Sequence, residues 1–78
     1  SSMKEAMAIE TIKELENGPK STDAVIHALV SDTDYWIKDS KEIVELAEKE
    51  GDGVTADMFN GYTKEYQKLA WMLKSYQS

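Results

Sequence analysis

The sequence predicts an all-α fold: an antiparallel hairpin of two long helices preceded by a shorter helical segment. Three observations lead there. Apolar residues recur at helical spacing over two long stretches, and Gly-containing breaks divide the chain into three segments. The last two segments are joined by only about four residues, which makes them antiparallel neighbours.

The first segment spans 3–16. Its larger apolar residues, Met3, Met7, Ile9, Ile12 and Leu15, do not keep one clean stripe. A short helix near 3–10 followed by a less regular stretch and a single longer helix are both compatible with that pattern. Asn17-Gly18-Pro19 ends the segment, because Gly favours a helix end and Pro cannot continue the hydrogen-bond ladder.

The second segment opens at Ser21 or Thr22 as N-cap, with Asp23 placed to complement the helix dipole. Ile26, Leu29/Val30, Trp36/Ile37, Ile43/Val44 and Ala47 then repeat at helical spacing, and Thr33 and Ser40 share the face of Ile26 and Ala47. Small residues at alternate contacts suit close helix packing. The predicted helix covers 22–50, about 43 Å at about 1.5 Å per residue, and Gly51 and Gly53 flank its end. The third helix is predicted over 55–76, with Thr55 as N-cap, Asp57 in the first turn and Val54 stapled against Phe59. Gly61 within it marks either a close approach or nothing.

One small unit over 1–78 is all this length allows, and a domain of this size buries a modest core. No cysteine is present, so disulfides and thiolate metal sites are excluded. The nine basic residues, all lysine, are spread among fifteen acids for a net charge of −6, which argues against nucleic-acid or membrane-surface binding by this chain. With no signal-peptide pattern and no membrane-length apolar run, a cytoplasmic location is expected.

The apolar faces of the hairpin are wider than one neighbour covers. Tyr35/Trp36, Trp71/Met72 and the paired aliphatics spread beyond a single seam. About ten side chains left half exposed would forfeit on the order of 10 kcal/mol, comparable with the whole stability of a small domain. The hairpin is therefore expected to be half of a four-helix bundle completed by a partner chain, through self-association or a missing N-terminal half. A closed three-helix monomer is the alternative.

Several stretches carry a family resemblance. Ile43-Val-Glu-Leu-Ala-Glu-Lys-Glu-Gly-Asp52 resembles the "ELAEEEGD" end of the third helix of the Dps family, or mini-ferritins. Val54-Thr-Ala-Asp-Met-Phe59 resembles the "TADMF" opening of that family's fourth helix, and Glu65-Tyr-Gln-Lys-Leu-Ala-Trp-Met-Leu-Lys74 resembles its "EEHEKTAWMLR" segment. Met3-Lys-Glu-Ala-Met through Thr11-Ile12 looks like the short helix of the long crossover between the family's second and third helices. Collinear over nearly the whole chain, the match is to the family's C-terminal half.

The resemblance implies a ferritin-like bundle that assembles into a hollow shell, oxidises ferrous iron and stores the ferric mineral. Some members also coat DNA through lysine-rich termini. The family's ferroxidase ligands lie on its first two helices, and none carries over onto this chain. The half represented here is thus expected to be structural and not catalytic alone, with iron as the parent family's metal and none bound by this chain. Ser1-Ser2 ahead of Met3 fits a half-length gene product or a longer chain cut in its exposed crossover.

By the same resemblance, Asp52 and Asp57 near the hairpin turn are candidates for an iron-entry pore, because a ring of carboxylates concentrates cations at a narrow mouth. Without a shell they are a turn residue and a helix-dipole partner. His27 has no second His or Cys nearby and reads as a surface or interface side chain. Glu42, Glu45, Glu48 and Glu50 read as a solvated face. Tyr62, Tyr66, Trp71 and Tyr76 read as core or interface packing, with Met58 and Met72 as gap fillers. From a different class, the alternative function is a small helical homodimerisation module without iron chemistry.

Overall fold

The computed structural model describes residues 3–18 and 23–77. Three helices follow in order: α1 (Met3–Glu16), α2 (Asp23–Lys49) and α3 (Gly53–Lys74), with no strand among the described residues. The all-α expectation, a long hairpin preceded by a shorter helix, is borne out. α2 and α3 pack along their whole lengths, and the molecule measures 46 × 19 × 17 Å.

The hairpin seam is built from small residues. Thr33, Ser40 and Ala47 on α2 and Ala56, Thr63 and Ala70 on α3 are all buried, each set repeating every seven residues. Side chains this short let the helix backbones approach closely. The two threonine hydroxyls need partners in such a place and find them within their own helix. Thr33 Oγ1 donates to the Val30 carbonyl at 2.7 Å, and Thr63 Oγ1 donates to the Phe59 carbonyl at 3.0 Å.

The turn between these helices takes two bonds from a single glycine-dependent motif. Gly51 adopts φ +73°, the Asp52 N–H donates to the Ala47 carbonyl at 2.8 Å, and the Gly51 N–H donates to the Glu48 carbonyl at 3.1 Å. This is a Schellman ending, in which only glycine holds the left-handed residue without strain. Asp52, the next residue, is already the N-cap of α3. The structure therefore corrects the expected start of this helix. Thr55 is not the cap but the residue that the cap binds, and Val54 is 76% exposed rather than stapled against Phe59. The Ser21/Thr22 cap of α2 lies outside the described residues.

α1 is one regular helix. Ala8, Ile12 and Leu15 are its buried residues, at spacings of four and three, while Met3, Met7 and Ile9 face outward. They meet Ile26, Leu29 and Val30 of α2 and Leu73 of α3, with Leu69 and Met72 packed alongside. α1 thus lies on the end of the hairpin remote from the turn.

Gly61 sits in the middle of α3 in open space. A methyl group in place of its hydrogen would meet nothing within 4 Å, and its φ is not positive. No close approach requires it. Gly61→Ala is expected to stabilise the protein by about 1 kcal/mol through helix propensity, read as a higher urea midpoint. Gly51→Ala, at φ +73°, is expected to lower it.

Candidate functional site

Two places carry functional interest: the hairpin turn and the apolar groove that α1 leaves open. At the turn, both carboxylate oxygens of Asp52 are engaged. Oδ1 accepts the Thr55 N–H at 3.0 Å and Oδ2 accepts the Thr55 hydroxyl at 2.6 Å. The hydroxyl bond first, and then the backbone N–H of Thr55, hold the Asp52 carboxyl below the usual carboxylate range. A lowered folded-state pKa stabilises the protein above the unfolded value, and that stabilisation is lost as the pH falls through the lowered one. Asp52→Ala is therefore expected to lower the urea midpoint near neutrality and to lose less in acid. Asn, itself a good cap, should keep part of the effect.

Asp57 is exposed, five residues further on. Asp52 is the cap ahead of α3 with both oxygens turned to Thr55, whereas Asp57 is the fifth residue of the helix itself. Among the described residues no group of three or more His, Cys, Asp or Glu is arranged to hold a metal ion. His27 is exposed beside a shallow depression shared with Asp23, Ala24 and Gln77. Glu42, Glu45, Glu48 and Glu50 are all exposed.

The aromatic series divides. Tyr66 packs against Trp36 at 5.3 Å between ring centroids and against Tyr62 at 6.5 Å, and Tyr62 meets Phe59 edge-on at 5.0 Å. Trp71 stands apart, 71% exposed. The Tyr66 hydroxyl lies 3.5 Å from Glu5 Oε2, a long bond that ties the start of α1 to the middle of α3. Burial, and then the Glu5 charge, push the Tyr66 phenol above its ordinary value. No local sequence signal announces this pair, since sixty-one residues separate the two.

From Tyr66 toward the turn, nothing among the described residues covers the groove. Trp36, Ile43, Phe59 and Tyr66 are only half-buried, Tyr62 is 40% exposed, and Leu46 and Met58 are 62% and 46% exposed. Ile43, Leu46, Ala47 and Thr55 line its last hollow together with Glu50 and Asp52. Such a surface suits helix packing.

Comparison with known proteins agrees with that architecture. The family model described as a ferritin-like domain matches residues 2–78. This chain belongs to the ferritin-like family. Among curated proteins, the ferritin-like chain is 30% identical to DNA protection during starvation protein 2 of Bacillus anthracis, over 95% of its own length and 50% of that protein's. It is 31% identical to the DNA protection during starvation protein of Listeria innocua, over 97% of its own length and 49% of that protein's. The Dps resemblance is borne out. The chain spans about half the length of the curated relatives it matches, consistent with the family's C-terminal half. No solved structure gives a significant match. No helix among the described residues is long and apolar enough to cross a membrane.

Proposed function

We propose that this chain is the structural half of a Dps-type iron-storage and DNA-protection protein of the cytoplasm. It supplies the last two helices of each bundle, while ferroxidase ligands reside on helices contributed by another polypeptide segment. Iron is the substrate and cargo of the whole assembly, and this half alone does not oxidise it. Asp52 and Asp57, repeated around a three-fold axis, line the pore through which ferrous iron enters. Nucleic acid is not bound by this acidic half.

One observation carries the proposal: the ferritin-like chain matches its Dps relatives over nearly all of itself and only half of them. The uncovered groove supports it physically, because the groove presents the apolar surface a second helix pair would bury. Coexpression with the unmatched half of a Dps relative tests it. The two pieces should copurify as a shell-sized particle by light scattering. That particle should oxidise ferrous iron with peroxide while the chain alone does not. A chain that stays monomeric and ignores the other half would overturn it.

A homodimerisation module is favoured by a different observation, the exposure of Leu46 and Met58 beside that groove. In that case light scattering of the purified chain alone gives a dimer.

A further inference from the structure

Two apolar hollows along α3 differ in charge. The cleft between α1 and α3 is flanked by both signs, Lys13 and Lys68 with Glu16 and Glu65. Near the turn the side chains flanking the apolar floor are carboxylates. Asp39 stands four residues before Ile43 and three after Trp36 on the same side of α2, and Glu50 and Asp52 share the last hollow with Ile43 and Leu46. All three are exposed.

The floor at this end is continuous. Ring contacts run from Trp36 through Tyr66 and Tyr62 to Phe59, and Ile43 continues the α2 side at a spacing of seven from Trp36. From Tyr66 to Thr55 the open stretch measures about 17 Å along α3, the length of about three helical turns. α1 stops short of it, since Glu5 at the start of α1 reaches only as far as Tyr66.

We infer that the turn-end half of this groove docks an amphipathic helix with a basic flank, whose apolar face covers the Trp36–Phe59 floor and whose lysines or arginines meet Asp39 and Glu50. The inference rests on the proposal that other helices complete the hairpin, and it specifies the chemistry of the helix at this end. Charge selects against a second copy. A copy of this chain carries a net charge of −6 and would bring its own carboxylates to the same rim. Apolar contact supplies the affinity, and the flanking charges set which helix is accepted.

Titration with synthetic helices tests this in the full chain. Trp71→Phe removes the exposed indole, leaving Trp36 in the floor as the reporter. A leucine–lysine amphipathic helix of about four turns should shift Trp36 emission to the blue, saturably and more weakly as salt rises. The same peptide with glutamate for lysine should bind at least about tenfold more weakly. Asp39→Lys with Glu50→Lys should reverse that preference. Leu46→Ser with Met58→Ser, both at exposed positions, should abolish the shift while leaving the helices folded.

Equal binding of both peptides would overturn the inference. So would binding that survives Leu46→Ser with Met58→Ser, which would mark diffuse attraction to an acidic protein. A Trp36 shift that follows chain concentration, with a dimer mass, would replace the basic helix by a second copy. Should the lysine peptide fail while the coexpressed half of a Dps relative still assembles, the basic-helix inference falls and the proposed function stands.

Discussion

Leu73→Ala is expected to destabilise the protein by about 2–5 kcal/mol, the range for removing a fully buried leucine. Leu73 is 0% exposed, and it stands where all three helices meet, with Ile26 at 1% and Ala8 at 0%. The lost transfer energy is only part of the effect. A cavity remains because α2 and α3 are already held close by the small-residue seam and cannot collapse inward. A domain of this size has a total stability in or below the range of about 5–15 kcal/mol, so the loss takes much of it. Trp71→Ala, two residues earlier but 71% exposed, is the matched control and should change stability by no more than about 0.5 kcal/mol. Urea denaturation followed by helical circular dichroism measures both. Equal losses would mean that α1 does not seal this end of the hairpin.

That contrast also shows which parts of the fold are legible in the sequence and which are not. The hairpin can be read because its heptad of small residues is a local pattern, and Thr33, Ser40 and Ala47 are buried as that pattern requires. α1 is harder because its stripe runs through Ala8, Ile12 and Leu15, and alanine carries little hydropathy weight. Judged by its large residues alone the segment looks irregular, since Met3, Met7 and Ile9 are the ones that face out. The α3 cap escapes sequence reading for a similar reason. Asp52 and Thr55 are both good capping residues, and the choice between them depends on the Schellman turn at Gly51, which delivers Asp52 directly to the helix start.

The candidate site divides along the same line. A carboxylate pore needs copies of the turn arranged around an axis, and in one chain Asp52 is a helix cap while Asp57 is an exposed residue within the helix. Local spacing cannot encode that arrangement. The groove is different, because the width of the apolar faces is visible from Trp36, Ile43 and Tyr66 alone. What the sequence withholds is the position of α1, which covers one half of the groove and leaves the turn-end half with its acidic flank.

Ser40→Leu tests the feature on which both the hairpin and the groove depend. Ser40 is 4% exposed at the middle of the seam, between Thr33 and Ala47 on its own helix and on the face that packs against Ala56, Thr63 and Ala70. A leucine there has no space to enter without moving backbone, and overpacking of this kind costs about 1–3 kcal/mol. The strain cannot relax by rotating α2, since rotation would expose Ile26 and Thr33, now at 1% and 0%. The expected result is a splayed hairpin with a lowered urea midpoint and Trp36 emission shifted to the red. Ser40→Ala, which keeps the volume small, should stay within about 1 kcal/mol of the parent. Leucine at Asp39, the exposed neighbour, should be tolerated by the fold, so that the penalty tracks the seam and not the added methyl groups. If Ser40→Leu were as stable as the parent, the helices could not be as close as this row of small side chains requires, and the groove they frame would have a different width and floor.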